Sequence, residues 1–170
     1  MKLPSLAHVK EVIGIYRAAY RNWPWVLLNL ALRGRARAAT RDGRVVEGDD
    51  VTIGGIARLY SRSTPITVDA FEKLWLVSQG TQSYETLARL GYRLYRVRCC
   101  KLVDVSDDLS YITIEVDGKK ATMYGWRNID FIGDINGYMD LDVKDMSVLD
   151  VGAYVGAVSY THLRAHETGR

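Results

Sequence analysis

Along residues 6–20 the apolar positions His8, Val9, Val12, Ile13, Tyr16, Ala19 and Tyr20 recur at spacings of three and four, with Lys10, Arg17 and Arg21 elsewhere on the wheel. That spacing predicts an amphipathic helix. Asn22 and Trp23 interrupt it, and Pro24 is placed to open a second helix, WVLLNLALR, which Gly34 would end. From Ala36 the period changes: ARAATR and RVVEG flank Asp42-Gly43, a dipeptide favoured in two-residue hairpin turns, so a small hairpin is expected. Asp50 is placed to cap a helix from about Thr52 to Tyr60, although Gly54 and Gly55 each weaken it by roughly 1 kcal/mol relative to Ala.

Thr64-Pro65 ends that element, and Ile66 to Val68 reads as a short strand. A longer helix is expected from Asp69 through Leu76, with Phe71, Leu74, Trp75 and Val77 on its apolar side, followed by a loop over Gln79 to Ser83. Tyr84 to Leu90 gives a further turn or two of helix, closed by Gly91. The run YRLYRVRCCKLVDV (92–105) is mixed, but its initial alternation favours β. Tyr111 to Val116, Asp117-Gly118 and Lys119 to Tyr124 form the clearest hairpin of the chain. Asn128 to Gly137 is read as a short helix.

The stretch from Ser147 to Gly156, SVLDVGAYVG, organises the rest. Val148, Leu149, Asp150 and Val151 have the makeup of a short buried parallel strand, and Gly152 and Gly156 bracket the tight turn expected after it. Gly152 permits a backbone conformation closed to residues with a Cβ, and Gly156 lets a helix start pack close to strand and ligand. Free N–H groups at such a loop suit a polar or anionic ligand group. On the bare pattern alone, a strand ending in a glycine turn with no ligand is an equal reading.

This stretch resembles motif I of S-adenosylmethionine-dependent methyltransferases, and LDVGAYVG is similar to the LDxGANxG box of the FkbM family. Tyr138 with Leu141, Asp142 and Val143, and the Lys144-Asp145-Met146 link, are similar to that family's approach segment. More diffusely, Asn22-Trp23, Leu32-Arg33-Gly34 and the Asp42-Gly43 turn resemble the N-terminal extension of archaeal members. Tyr154 departs from the pattern, where the family usually has Asn, as does Ala157, where an acidic residue commonly opens the helix.

The resemblance implies an α+β N-terminal region of helices and β-hairpins leading into the first strand and glycine loop of a truncated Rossmann-like α/β methyltransferase domain. It divides the chain into an extension (1–145), the start of the methyltransferase domain (146–157) and a tail (158–170). It implies S-adenosylmethionine as cofactor, held by Asp150, Gly152, Ala153, Tyr154, Val155 and Gly156, and a glycan or small-molecule acceptor, with O-methylation as the reaction. The catalytic groups would lie downstream. After Gly156 such a domain needs an apolar helix, a second strand ending in a carboxylate and further strands. VSYTHLRAHETGR lacks the apolar face of that helix and resembles a translated read-through tail, so the natural frame is expected to end near Ala157 and this chain to be inactive alone.

At 170 residues, with mixed charge, the chain has the composition of an ordinary soluble domain with one sizeable core. Charge is uneven: residues 1–98 hold 16 basic and 8 acidic side chains, and 99–170 hold 7 and 12. A basic front half suits an anionic partner, though a solvated Arg-rich surface is the commoner meaning. The apolar run from Trp23 to Leu32 spans ten residues, about half of what a bilayer-spanning helix needs. Trp23, Trp25 and arginines 17, 21, 33, 35 and 37 nevertheless have the makeup of an interfacial helix, and this defines an alternative function: a peripheral membrane or anionic-surface module. A truncated reading frame without activity is the third reading. No nucleic-acid partner is expected.

Adjacent Cys99 and Cys100 would point to opposite faces of a strand and pair only under strain; one is read as a small core residue. The first apolar stretch lacks the length and cleavage pattern of a signal peptide, and a cytoplasmic, or membrane-peripheral, location is expected. His162 and His166 stand four apart with Glu167 outside the pair, whereas the zinc-protease order places the glutamate inside it, so no metal site is expected.

Overall fold

The computed structural model describes residues 5–80, 84–98 and 100–124. Within them the chain forms α1 (Leu6–Ala19), α2 (Trp23–Arg33), β1 (Arg35–Ala39), β2 (Val45–Asp49), α3 (Asp50–Leu59), α4 (Val68–Gly80), α5 (Glu85–Arg96), β3 (Lys101–Val105), β4 (Tyr111–Val116) and β5 (Lys119–Tyr124). The architecture is mixed α+β with two antiparallel sheets, β1-β2 and β3-β4-β5.

Local chemistry accounts for the helix ends. Ser5 caps α1 by accepting from the His8 N–H, and Gly34 closes α2 in the left-handed conformation at φ 68°, where a Cβ would be strained. The cap of α3 is Asp49, not Asp50; Asp49 accepts from the Thr52 N–H, and Asp50 sits in the first turn, where its charge suits the helix dipole. Thr67 Oγ1 accepts from the Ala70 N–H at the start of α4. The expected strand at Ile66 to Val68 reduces to one parallel bridge, Ile66 to Leu102, because Val68 is already helical. Helix α4 also runs past Leu76, over Gln79 and Gly80, in place of the expected loop.

Both hairpins form, with different turns. At β4-β5, Val116 pairs with Lys119, and Asp117 (φ 49°) and Gly118 (φ 76°) are both left-handed, as a two-residue turn requires. At β1-β2 only Gly43 has positive φ (96°), and the Thr40 N–H donates to the Arg44 carbonyl at 2.8 Å. This turn is one residue longer than expected. The Thr40 hydroxyl bonds Asp42 Oδ1, and Thr40 Oγ1 also accepts from the Arg44 N–H at 2.8 Å.

The largest correction concerns residues 91–105. Gly91 does not close a helix, and 92–96 are not strand: α5 continues to Arg96, and only Lys101–Val105 is β. A helical period is present here, with Leu87, Leu90, Gly91 and Leu94 buried and Arg89 exposed. Glycine in mid-helix is explained by packing. A Cβ on Gly91 would lie 1.9 Å from the Gly55 carbonyl oxygen, and one on Gly55 would lie 2.4 Å from the Ala88 carbonyl oxygen. The glycines that weaken α3 and α5 individually thus let the two helices approach backbone to backbone.

The core joins this pair to α1, the hairpins and α4. Tyr20, Val26, Val46, Ile53, Leu74, Leu87, Leu102 and Ile112 are among its fully buried side chains, and Cys100 is buried too. Tyr20 reaches across to donate to the Ile53 carbonyl at 2.7 Å, and burial pushes its hydroxyl pKa far above the ordinary range. Asn22 acts as a short strand partner for β1: its Nδ2 donates to the Arg37 carbonyl at 3.0 Å, and its Oδ1 accepts from the Ala39 N–H at 2.9 Å. A Lys73 Nζ to Asp104 Oδ1 ion pair at 2.6 Å links α4 to β3.

Candidate functional site

The proposed cofactor residues Asp150, Gly152, Ala153, Tyr154, Val155 and Gly156 lie outside the described residues, as do Asn128 to Gly137, His162, His166 and Glu167. The extension landmarks are described. Asn22-Trp23 opens α2, Leu32-Arg33-Gly34 ends it, and Asp42-Gly43 occupies the β1-β2 turn. Among the described residues no three His, Cys, Asp or Glu side chains cluster as a metal site.

A cleft of about 540 Å³ opens where the first turn of α1 meets the ends of α3 and α5. His8 and Glu11 of α1, Arg58 of α3, Tyr95 and Arg96 of α5, and Arg98 beyond it all line this space. Arg58 is held from two sides: its Nη1 donates to the Gly54 carbonyl at 2.8 Å, and its guanidinium carbon lies 4.2 Å from the Tyr92 ring centre. Glu11 is engaged too. It accepts from the Tyr95 hydroxyl at 2.9 Å and stands 3.8 Å from His8 Nδ1. That contact raises the Tyr95 pKa, second to burial.

The apolar spacing of α1 puts His8 on its buried face, yet His8 is exposed, and that face is buried only toward the helix end, at Ile15, Tyr16 and Ala19. A strand over 92–98 would scatter the cleft arginines and tyrosines, so the sequence reading does not bring them together. Tyr92, Tyr95 and Arg96, three and four apart, carry the signal of one helical face.

A second cluster surrounds Arg44. Its guanidinium carbon lies 5.1 Å from the Phe71 and 4.8 Å from the Trp75 ring centres, its Nη2 donates to both Glu72 oxygens, and its Nη1 stands 3.0 Å from Asp42 Oδ2. The Tyr60 hydroxyl donates to Asp42 at 3.1 Å. Burial pushes the Tyr60 pKa up to about 12. For Asp42, burial acts upward, but hydrogen bonds from Thr40 and Tyr60 and the Arg44 charge prevail and hold its pKa low. Through its ion pairs with Asp42 and Glu72, Arg44 clamps α4 to the β1-β2 turn.

The third feature is the outer face of α2. Trp25, Leu28 and Leu32 are 66%, 46% and 74% exposed, while Val26 on the opposite side is fully buried. Helix α2 is therefore apolar on both sides, and only one is covered. Among the described residues no helix is long and apolar enough to cross a membrane.

No family model matches the chain, and no curated protein or solved structure matches it significantly.

Proposed function

We propose that this chain carries the front part of an FkbM-like methyltransferase that uses S-adenosylmethionine. The observation that carries the reading is the sequence SVLDVGAYVG, with its glycines at 152 and 156 after an apolar run ending in Asp150-Val151. The folded α+β unit ahead of it, residues 5–124, is compatible with an extension that precedes a Rossmann-like domain. In the proposed chemistry the sulfonium makes the cofactor's methyl carbon electrophilic, and the protein holds an acceptor hydroxyl in line behind it. Backbone N–H groups of the Gly152 to Gly156 loop would hold the methionine portion. The test is calorimetry with S-adenosylmethionine on a chain carrying a complete methyltransferase domain after Gly156, and on its Gly152→Val variant. The reading expects binding by the first and loss in the second. Absence of binding by the complete domain, or equal binding by the variant, would refute it.

A second reading, a membrane-peripheral module, is favoured by the uncovered face of α2. Residues 5–41 contain seven Lys and Arg against one acidic residue, Glu11, so an anionic surface complements this end of the chain. The cross-strand neighbours Asp49 and Glu47 stand opposite Arg35 and Arg37 and offset part of that charge. The apolar stripe of Trp25, Leu28 and Leu32 therefore has to carry much of the affinity.

A further inference from the structure

We propose that Arg17, Arg21 and Arg41, where the end of α1 meets the β1-β2 turn, form a binding site for a phosphomonoester group. The inference stands independently of the methyltransferase and membrane readings. The link after α1 pairs with the end of β1: Tyr20 bridges Thr40 antiparallel, the Arg21 N–H donates to the Ala39 carbonyl at 2.8 Å, and the Arg41 N–H donates to the Ala19 carbonyl at 2.9 Å. Tyr20 and Thr40 are fully buried, so by strand alternation Arg21 and Arg41, one residue on from each, share the opposite, outer face. All three arginines are exposed.

Backbone carbonyls hold two of the guanidiniums in place. Arg41 Nε and Nη2 donate to the Arg17 carbonyl at 3.1 and 2.9 Å, and Arg21 Nε and Nη2 donate to the Arg41 carbonyl at 3.2 and 2.7 Å. Each of these side chains thereby commits two of its five N–H donors and keeps the Nη1–Nη2 edge, a fork that matches the oxygens of phosphate. Little side-chain entropy remains to be lost on binding. Diagonal neighbours of an antiparallel pair stand roughly 7–8 Å apart, within reach of long side chains, so forks from both can close on one phosphate.

A plainer meaning is that Arg41 offsets the negative end of α1. It does so, because Arg17 lies in the last turn and its carbonyl is one that a helix leaves unpaired. About half an elementary charge needs only one guanidinium, however, and Arg21 serves a carbonyl of the β1-β2 turn, not of the helix. Neighbouring arginines give the contrast. Arg35 and Arg37 face Asp49 and Glu47 across the hairpin, whereas among the described residues Arg17, Arg21 and Arg41 have no ion-pair partner. The adjacent carboxylate, Asp42, is turned to Thr40, Tyr60 and Arg44.

The experiment is NMR titration of the full chain with glycerol 3-phosphate at low ionic strength, alongside co-sedimentation with phosphatidic acid vesicles, each variant first checked by thermal melting. Saturable binding in at least one arm is expected, with the Nε–H signals of Arg21 and Arg41 shifting. Binding in the soluble arm assigns the site to a free phosphate compound, and vesicle binding alone assigns it to a lipid headgroup; both uphold the site. Arg21→Gln should weaken binding at least about tenfold. Arg17→Glu should weaken it at least about threefold, and because only the carbonyl of Arg17 holds the fold here, this variant stays decisive if Arg21→Gln unfolds the chain. The control Arg37→Gln, on exposed β1, should stay within about twofold. No saturation in either arm up to about 10 mM phosphate overturns the proposal, as does wild-type affinity in Arg17→Glu or an Arg37→Gln loss equal to that of Arg21→Gln. Without soluble binding, equal sedimentation with phosphatidylserine vesicles of matched surface charge also overturns it, leaving only the general attraction of the membrane reading.

Discussion

Gly55 and Gly91 face each other across the α3-α5 interface so closely that a methyl group on Gly91 would stand 1.9 Å from the Gly55 carbonyl oxygen. No flexible side chain can yield there, because the obstacle is backbone. Gly91→Ala should therefore force the helices apart and cost at least about 2 kcal/mol, despite the better helix propensity of alanine. Gly14, on the exposed side of α1, has open space within 4 Å of where a Cβ would stand, and Gly14→Ala should stabilise by up to about 1 kcal/mol. Urea melts of the two variants measure the contrast; a Gly91→Ala protein as stable as wild type would mean that the helices are not in backbone contact.

That interface also explains how far the sequence is legible. Helices α1 and α2 and the β4-β5 hairpin are readable because their signals are local: apolar spacing, Pro24 and Gly34 at the ends of α2, and Asp117-Gly118 in the turn. Gly91 is ambiguous because a glycine stops a helix or admits a neighbouring backbone, and only the neighbour, Gly55, decides which. The same ambiguity hides the cleft, whose lining comes from α1, α3 and α5 and converges only through the tertiary fold. The Asp42-Gly43 turn is longer than its dipeptide suggests because the Thr40 side chain supplies bonds that the dipeptide alone does not reveal.

The Arg44 cluster should behave as a coupled unit. Arg44 lies over the Phe71 and Trp75 rings while its Nη2 donates to Glu72. A double-mutant cycle with Arg44→Lys and Trp75→Leu should give a coupling of about 0.5 kcal/mol or more, as cation–π contacts do. Additive losses would mean that the stacked geometry contributes no stability of its own.

Acid should destabilise the fold through several aspartates. Asp108 is held down to about 2 by its bonds to Ser110, the Lys73 hydrogen bond lowers Asp104, and Asp42 is lowered by bonds from Thr40 and Tyr60 that outweigh burial. A carboxylate with a depressed folded pKa contributes stability above its unfolded value, and loses it as pH falls through the folded value. For Asp108 that window runs from 3.8 down to about 2. Carboxyl NMR titration should place the Asp108 midpoint near the bottom of this window, and unfolding free energy should fall over the same range; an unshifted midpoint would remove the Ser110 contacts as its cause.

The uncovered face of α2 yields the last prediction. Trp25, Leu28 and Leu32 lie on one stripe, and Arg33 follows directly at the helix end. If this stripe rests on an anionic bilayer, the full chain should co-sediment with phosphatidylserine vesicles at low salt, and added salt should release much of it by screening the arginines. Charge alone would give the same salt response, so the discriminating variant is Trp25→Ser with Leu32→Ser. Both residues are already exposed, so the fold should tolerate the change, whereas vesicle affinity should fall at least about tenfold, the equivalent of roughly 1.4 kcal/mol of lost apolar transfer. Unchanged vesicle binding by the double variant would assign the attraction to the arginines only. Absence of binding at low salt, accompanied by self-association in sedimentation that the variant abolishes, would instead make the stripe a contact between two copies of the chain.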